Sequence, residues 1–401
     1  MSRQLISIQE ARAIVLQASH PLEGEPMEIG QALDRVLAQD VRAAHDVPPF
    51  ASSAMDGYAV LAGDGAGQLQ VVGESRAGTP AGSRVAIGQA IRISTGAAVP
   101  EGADAVIRQE DTAELEGGLI RTLASVAAGE NVRPAGEVMR AGTQVLVEGT
   151  ALGPIEIAAA ITAGVSQVLV RRQPRTLVLG TGDELCDPGQ PLGPGQIHDS
   201  NGAMLRGLAH RAGAAVPPAT RLPDDRARTV TGLEQALADA DVVVISGGVS
   251  VGPHDHVKPA LAQLGVQERF WGVALQPGKP TWFGSRGRTL VFGLPGNPVS
   301  AAVTFALFVV PALSALQGRP GLGNARMAAR LGEPVRQNPG REQALRVRLE
   351  DRDGEMVVIP NGPQGSHMIT SLIGADWLAL IPAGQGTLEV GSVVSLHPLP
   401  G

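Results

Sequence analysis

Three stretches of this chain carry a β-branched run straight into glycine and polar residues: TLVLGTGDEL at 176–185, DVVVISGGVSVGPHDH at 241–256 and TLVFGLPGNPVS at 289–300. The chemistry they suggest is anion binding. Gly247-Gly248 lets successive backbone amides turn toward a ligand with no Cβ in the way, a concave nest for negative charge. Ser250 follows in the same loop. Asn297-Pro298 suits a helix cap with proline in the first turn, leaving free amides aimed outward, and Ser300 lies within that turn. A single loop of this kind ordinarily serves packing. Three leaving strands of one sheet point to a phosphate.

Acids stand beside these glycines. Asp183-Glu184 follow the first run, Asp224-Asp225 lie in RLPDDRART, and Asp255 ends the second loop. Exposed acids are ordinarily just solvated, yet carboxylates beside a bound phosphate repel it unless a cation intervenes. Mg²⁺, held by one or two carboxylates with phosphate oxygens and water, supplies that bridge. The implied ligand class is a Mg-nucleotide or Mg-pyrophosphate, with Asp183, Glu184, Asp224, Asp225 and Asp255 as the acids from which the metal's ligands would come. Other metals fit worse. His254 and His256 lie two apart, with no third His or Cys at a zinc-like spacing. Cys186 has no neighbouring His or Lys to activate it and reads as a small, partly buried thiol.

These loops need a scaffold that gathers them. From 174 to about 318, strands and helices alternate: TLVLG, then SNGAMLRGLAHRAG ending at Gly213, a helix around TVTGLEQALADA, then DVVVIS, VKPALAQLG, TLVFG and a helix over 299–316. Such alternation predicts a parallel, doubly wound sheet covered on both faces. Its strand-exit loops gather along one edge, where open α/β sheets bind ligands near the reversal of strand order.

Around this unit the pattern differs. Ser7-Ile-Gln-Glu10 is a capping-box pattern opening a helix with Ala11, Ile14, Val15 and Ala18 on one face. A second short helix is expected over 31–41. From about 58 to 147, short strands alternate with Gly-rich turns, a β domain inserted after the first helices. A helix over 153–164 is expected to pack back on the N-terminal helices. The tail returns to strands. The expected fold is multidomain α/β plus β: a discontinuous N-terminal domain (1–45 plus 141–172), an inserted β domain (46–140), a central α/β domain (173–320) and a C-terminal small β-barrel (325–401).

Composition agrees. At 401 residues the chain exceeds one hydrophobic core. Aromatics are only 2%, so Ala, Val, Leu and Ile must fill the interior. The net charge of −7 without a basic run argues against a nucleic-acid partner. A single cysteine fits a reducing cytosol, and the N-terminus lacks a secretory pattern. The apolar run at 299–316 is long enough for a membrane span, but Pro311 interrupts it. A buried core helix is expected, with no membrane partner.

With these residues in place, the chain resembles the MoeA family of molybdopterin molybdotransferases, which includes the E domain of gephyrin. The motifs SAMDGYAV (53–60), STGAAVPEGADAVIRQED (94–111), GTGDEL with GQIHDSN (180–201), SGGVSVGPHD (246–255), QPGKP (276–280), GLPGNPVSA (293–301) and QGSHM (364–368) occur in family order. The resemblance implies a four-domain, elongated homodimer that inserts molybdate into adenylated molybdopterin and releases AMP. A molybdopterin adenylyltransferase is among the partners it allows. It makes Asp183 and Glu184 the acidic pair of the adenylate and Mg²⁺ region, and Asp224 and Asp255 acids needed for activity. It places Asp56 and Thr95 in the inserted β domain, facing the partner subunit's site. It assigns Lys279, Arg341 and Ser366 to molybdate, a tetrahedral dianion that two cations and a hydroxyl can satisfy.

The chain departs from the family pattern at Ser52, Val138, Gly272 and Gln276, where asparagine, aspartate, lysine and lysine are common. The acid cluster is complete, but the cationic site is thinner. A missing charge there is worth roughly 1–3 kcal/mol, so Gln276→Lys is expected to tighten molybdate binding about 5- to 150-fold. Two rival readings remain: a catalytically weak paralogue that binds molybdopterin or scaffolds partners, and a nucleotide pyrophosphatase.

Overall fold

The structure, a computed structural model, describes the chain except residues 1–3, 64–66, 219, 249–255, 320–326 and 400–401. Ser250, His254 and Asp255 therefore lie outside the described residues.

The central sheet has six strands, numbered here within that domain: β1 (Thr176–Thr181), β2 (Thr220–Leu222), β3 (Val242–Ser246), β4 (Gln267–Trp271), β5 (Trp282–Arg286) and β6 (Thr289–Leu294). Their order is β2-β1-β3-β6-β5-β4. The first four in that order are parallel, β5 runs antiparallel to its neighbours β6 and β4, and β4 thus points the same way as the first four. The expectation of an all-parallel sheet is thus corrected at one edge. The reason is local: Gly287, at φ +57°, turns the chain tightly between β5 and β6, and no crossover helix intervenes.

Alternation along the strands assigns each residue to one of two cores. Val178, Val242, Val244, Leu290, Phe292 and Leu294 face the helices Ser200–Arg211 and Pro298–Leu316. Leu179, Val243, Ile245 and Val291 face the helices Arg226–Asp239 and Val257–Gln263. The sheet is therefore doubly wound. The apolar 298–316 helix is 89% buried, as expected of a core helix.

Two expectations for the N-terminal region fail. The helix Ile8–Ala18, capped by Ser7 accepting from the Glu10 amide, places Ile8, Ala11 and Val15 in the central domain's core. The helix Pro154–Thr162 does not pack on it, but on a separate cluster with Ile29, Ala32, Leu37 and Val41. The segment 31–41 is not helical. Asp34 stands at φ +62°, and the following backbone bonds across to residues 150–152 and 171 (Leu37 N to Thr150 O, 2.9 Å; Arg171 N to Val36 O, 2.7 Å). Pairing that buries both Val36 and Leu37 outweighs a weak helical periodicity, although it leaves Leu33 exposed.

The N-terminal domain is discontinuous: Gly24–Glu28 pairs with Gln167–Arg171, and Val41–Arg42 with Gln144–Leu146. Between them lies a β domain whose six strands order as Ala105–Arg108, Gly57–Val60, Gln89–Ile93, Gln68–Ser75, Leu119–Thr122 and Thr112–Glu114. The C-terminal domain is a closed five-stranded barrel. Its strands run Glu342–Arg352, Glu355–Pro360, Met327–Leu331, Val393–Pro398 and Trp377–Ile381, and the last pairs again with the first.

Candidate active site

Gly180 of β1 pairs with Ser246 of β3, and Ser246 pairs with Leu294 of β6. The three glycine loops therefore leave the sheet at one level, side by side. The chain passes from β1 outward to β2, then back across β1 to β3, so strand order reverses between β1 and β3. This is the switch point at which open α/β sheets take ligands.

Backbone geometry explains the glycines. Gly247 and Gly248 stand at φ +88° and +62°, in the left-handed region that side chains avoid. A Cβ on Gly248 would come within 2.7 Å of Val257 Cγ2 and 2.9 Å of Thr181 Oγ1. Asn201 ties the loops together: its Nδ2 donates to Ser246 Oγ (2.9 Å) and to Gly296 O (2.6 Å). Sequence reasoning did not single out Asn201. The signal available was its place just inside a helix whose cap, Asp199, accepts from the Gly202 amide.

The acids sit on the same edge. The Asp183 amide donates to Asp224 Oδ2 (3.4 Å) and the Asp224 amide to Asp183 Oδ1 (3.2 Å). Two carboxylates far apart in sequence are thereby held face to face, each with one oxygen left over among the described residues. Arg221 on β2 grips the far side of this loop, donating to Leu185 O and Asp187 Oδ2. Glu184 lies beside Gly182, and its carbonyl accepts from the Ile197 amide. Among the described residues no three of His, Cys, Asp or Glu converge as a metal cage. Two carboxylates nonetheless suffice for Mg²⁺, which takes most of its ligands from phosphate and water. The donor set fits that ion.

The second half of the site comes from elsewhere in the chain. Asn297 occupies the cap position of the Pro298 helix, but its side chain does not cap. Instead Nδ2 donates to Ser366 Oγ (3.2 Å), while the Val299 amide donates to Ser366 O (3.2 Å). The loop of the C-terminal domain thus rests on the start of the central domain's core helix. Ser300, in the first turn, is buried. Leu275–Gln276 adds as a parallel strand to Glu342–Gln343, drawing the turn that bears exposed Lys279 toward the segment that bears Arg341. Neither cation has an ion pair among the described residues.

Sequence reasoning also missed Arg346. It is fully buried, and donates from Nε to Ser371 Oγ (3.1 Å) and from NH2 to the carbonyls of Pro363 and Gly365 (3.4 Å each). It has no carboxylate partner among the described residues, and burial pulls its guanidinium down to about 10. An unpaired buried cation next to Ser366 is the more telling arginine of this strand. Strand alternation could not have found it, because Arg348, two residues on and exposed, lies on the same face.

Asp56 and Thr95 come together in the inserted β domain, where the Thr95 amide donates to Asp56 Oδ1 at 2.7 Å. Both are exposed. Among the described residues no hydrogen bond joins them to the glycine loops of the same chain.

Comparison with known proteins covers the same ground. Family models described as MoeA N-terminal region (domain I and II), probable molybdopterin binding domain, and MoeA C-terminal region (domain IV) match residues 6–164, 177–315 and 328–399. The chain is 35% identical to the molybdopterin molybdenumtransferase of Haemophilus influenzae, over 98% of both chains. It is 36% identical to molybdopterin molybdenumtransferase 2 of Mycobacterium tuberculosis, again over 98% of each. Among solved structures, the molybdopterin biosynthesis moea protein from Pyrococcus horikosii superposes with a TM-score of 0.84 at 33% identity, covering 99% of this chain and 100% of that one.

Proposed function

This chain belongs to the MoeA family, and from that premise we propose that it inserts molybdate into adenylated molybdopterin and releases AMP. The observation that carries the reading is the alignment of three glycine loops at the switch point, with Asp183 and Asp224 pinned beside them. That edge suits the phosphates of an adenylate. The Ser366 loop, resting on the Asn297 helix start next door, suits the oxyanion.

Each group then has a task. The Gly248 amide, with the neighbouring Ser250 and the Ser300 amide, receives phosphate or pterin, while Gly247, whose own amide donates to Leu294 O at 3.0 Å, and Asn297, at the start of the Ser300 helix, shape the cradle. Asp183 and Asp224, joined by Glu184 and Asp255, are the residues that would hold Mg²⁺, which when bound neutralises the charge of the scissile phosphoanhydride. Lys279, Arg341 and Ser366 orient the molybdate dianion, and buried Arg346 fixes the Ser366 loop. Two dithiolene thiols replace one oxygen of molybdate, which departs with their protons as water, and water adds to the pterin phosphate as its bond to AMP breaks, AMP leaving with the electrons of that bond. Asp56 and Thr95, remote from their own chain's loops, serve the site of a second subunit in a homodimer. The domain boundaries follow the sequence expectation except that the helix Ile8–Ala18 packs in the central domain's core, and the protein works in the cytoplasm alongside an adenylyltransferase that supplies its substrate.

The absence of lysine at 272 and 276 favours one rival, a molybdopterin-binding paralogue without turnover. Purified protein mixed with adenylated molybdopterin, Mg²⁺ and molybdate decides among the readings when AMP is quantified. Molybdate-dependent AMP that disappears in Glu184→Gln supports the transferase. Binding without AMP points to the paralogue, and cleavage of ADP-ribose without molybdate points to a pyrophosphatase.

A further inference from the structure

Position 276 is where the family pattern led to the expectation of a missing cation. The structure gives its side chain another occupation. Gln276 Oε1 accepts from Asn338 Nδ2 at 2.6 Å. Asn338 in turn commits every polar group it has. Its Oδ1 accepts from the amides of Gly340 (2.9 Å) and Arg341 (3.1 Å). Its own amide donates to Gln343 Oε1 (3.0 Å), and its carbonyl accepts from the Gly384 amide (2.9 Å). Around this pair, Glu342 N donates to Ala274 O at 2.9 Å and the 275–276 strand is in register with 342–343. One side of the network belongs to the central domain, the other to the barrel and to the loop that carries Arg341.

We propose that Gln276 is a positioning residue that clamps the Arg341 loop and the C-terminal barrel onto the central domain, and not a neutral stand-in for an oxyanion-binding lysine. The chemistry of the pair sets the consequence. Asn338 Nδ2 is a donor and needs an acceptor opposite it. Glutamine and glutamate offer one; lysine offers three donors and none, and methionine offers only a weak one. Lysine at 276 therefore leaves the Asn338 amide facing another donor. Asn338 loses the contact that orients it, and with it the bonds to Gly340 and Arg341.

This reverses the order of effects that a simple charge argument gives. If residue 276 faced the oxyanion, molybdate binding would improve from Glu through Gln to Lys. If it clamps the loop, Glu stays closer to wild type than Lys does, although Glu carries the repelling charge.

The test uses the full-length protein with Gln276→Lys, Gln276→Glu, Gln276→Met and Asn338→Ala, read in two ways. Hydrogen exchange at the Gly340 and Arg341 amides reports the clamp without any turnover. The molybdate KM against kcat in the AMP-release assay reports its effect on the site. The expected result is exchange about 3- to 10-fold faster in the Lys, Met and Asn338→Ala variants, the range of one lost hydrogen bond, with Glu near wild type. The same three variants raise the molybdate KM more than they lower kcat. Wild-type exchange in Gln276→Lys overturns the proposal, as does a molybdate KM that falls with Lys and rises with Glu. The kinetic arm rests on the transferase reading, whereas the exchange arm does not. A wild-type protein with no molybdate dependence would refute that reading and leave the clamp to be decided by exchange alone.

Discussion

Restoring the family's lysine at position 272 should damage this protein, and the loss can be worked out from its surroundings. Gly272 is buried at φ +89°, its amide donating to Thr281 O at 2.8 Å and its carbonyl accepting from the Ile6 amide at 3.3 Å. Any L-residue held at that φ costs roughly 1–2 kcal/mol. A Cβ there would also stand 2.8 Å from Leu5 Cδ2, so the N-terminal segment must give way. Leu5 is only partly buried, and loosening it forfeits about 1 kcal/mol of the 1.5–3 kcal/mol a fully buried leucine contributes. The sum, roughly 2–3 kcal/mol, corresponds to a melting point lower by about 4–12 °C for a domain of this size. Scanning calorimetry of Gly272→Lys should show that drop in the central domain's transition. Gly272→Ala should show most of it, because the backbone and the Cβ cause the loss and the charge does not. A lysine variant that melts with wild type and also binds molybdate more tightly would refute the argument, since the ammonium would then reach the oxyanion without displacing the N-terminal segment.

Other outcomes follow from the same geometry. Gly248→Ala places a Cβ against Val257 and Thr181 at φ +62°, so AMP affinity by calorimetric titration should fall at least tenfold while the C-terminal barrel's exchange pattern is unchanged. Asp241 accepts a two-pronged bond from Arg172 (2.7 and 2.9 Å) and another from the Arg175 amide, at the junction of the N-terminal and central domains. Burial pushes its carboxyl up, but those bonds outweigh burial and hold it below its ordinary value. Its stabilisation is therefore complete above the unfolded carboxylate value, near 3.9, and is lost as pH falls through the lower folded value. Asp241→Asn should cost about 1–3 kcal/mol at neutral pH by denaturant titration and should flatten the acid limb below about pH 4. Mixing Asp56→Asn subunits with Glu184→Gln subunits should restore part of the AMP release, and no recovery despite proven subunit exchange would count against a shared site.

Much of the scaffold was legible because its signals are short-range. TLVLG, DVVVIS and TLVFG are continuous β-branched runs, long enough for a strand buried on both faces and too short for a helix, and each became a parallel strand. What escaped depended on partners remote in sequence. The β4–β5 pair holds to the sheet through a hairpin turn at Gly287, and TWFGSR carries no alternation to announce it. The 31–41 segment has helical spacing, yet its backbone is satisfied by residues more than a hundred positions away. The same limit applied at the site. Glycines and acids advertise themselves by type, whereas the roles of Asn201, Asn338 and Arg346 arise from what surrounds them after folding.

The way the cores are shared says how the site is kept in order. Ala344, Ala375, Leu378 and Leu399 of the C-terminal region belong to the same apolar cluster as Leu275, Val299 and the 298–316 helix, so barrel and central domain are fused by a continuous core. The Ser366 loop rests on a helix start within that fused body, and Arg346 is sealed beneath it. The proposed oxyanion and phosphate subsites are thereby fixed relative to one another, as a transfer between two bound substrates requires. The inserted β domain is built otherwise. Its two clusters draw only on residues between Tyr58 and Val132, and none of the central domain's apolar residues enters them. Asp56 and Thr95 are therefore rigid with respect to each other through their 2.7 Å bond, but no shared core registers them to the glycine loops of their own chain. A pair ordered in this way can contribute to chemistry only where another surface fixes the inserted domain, and the loops of a second copy are the proposed surface.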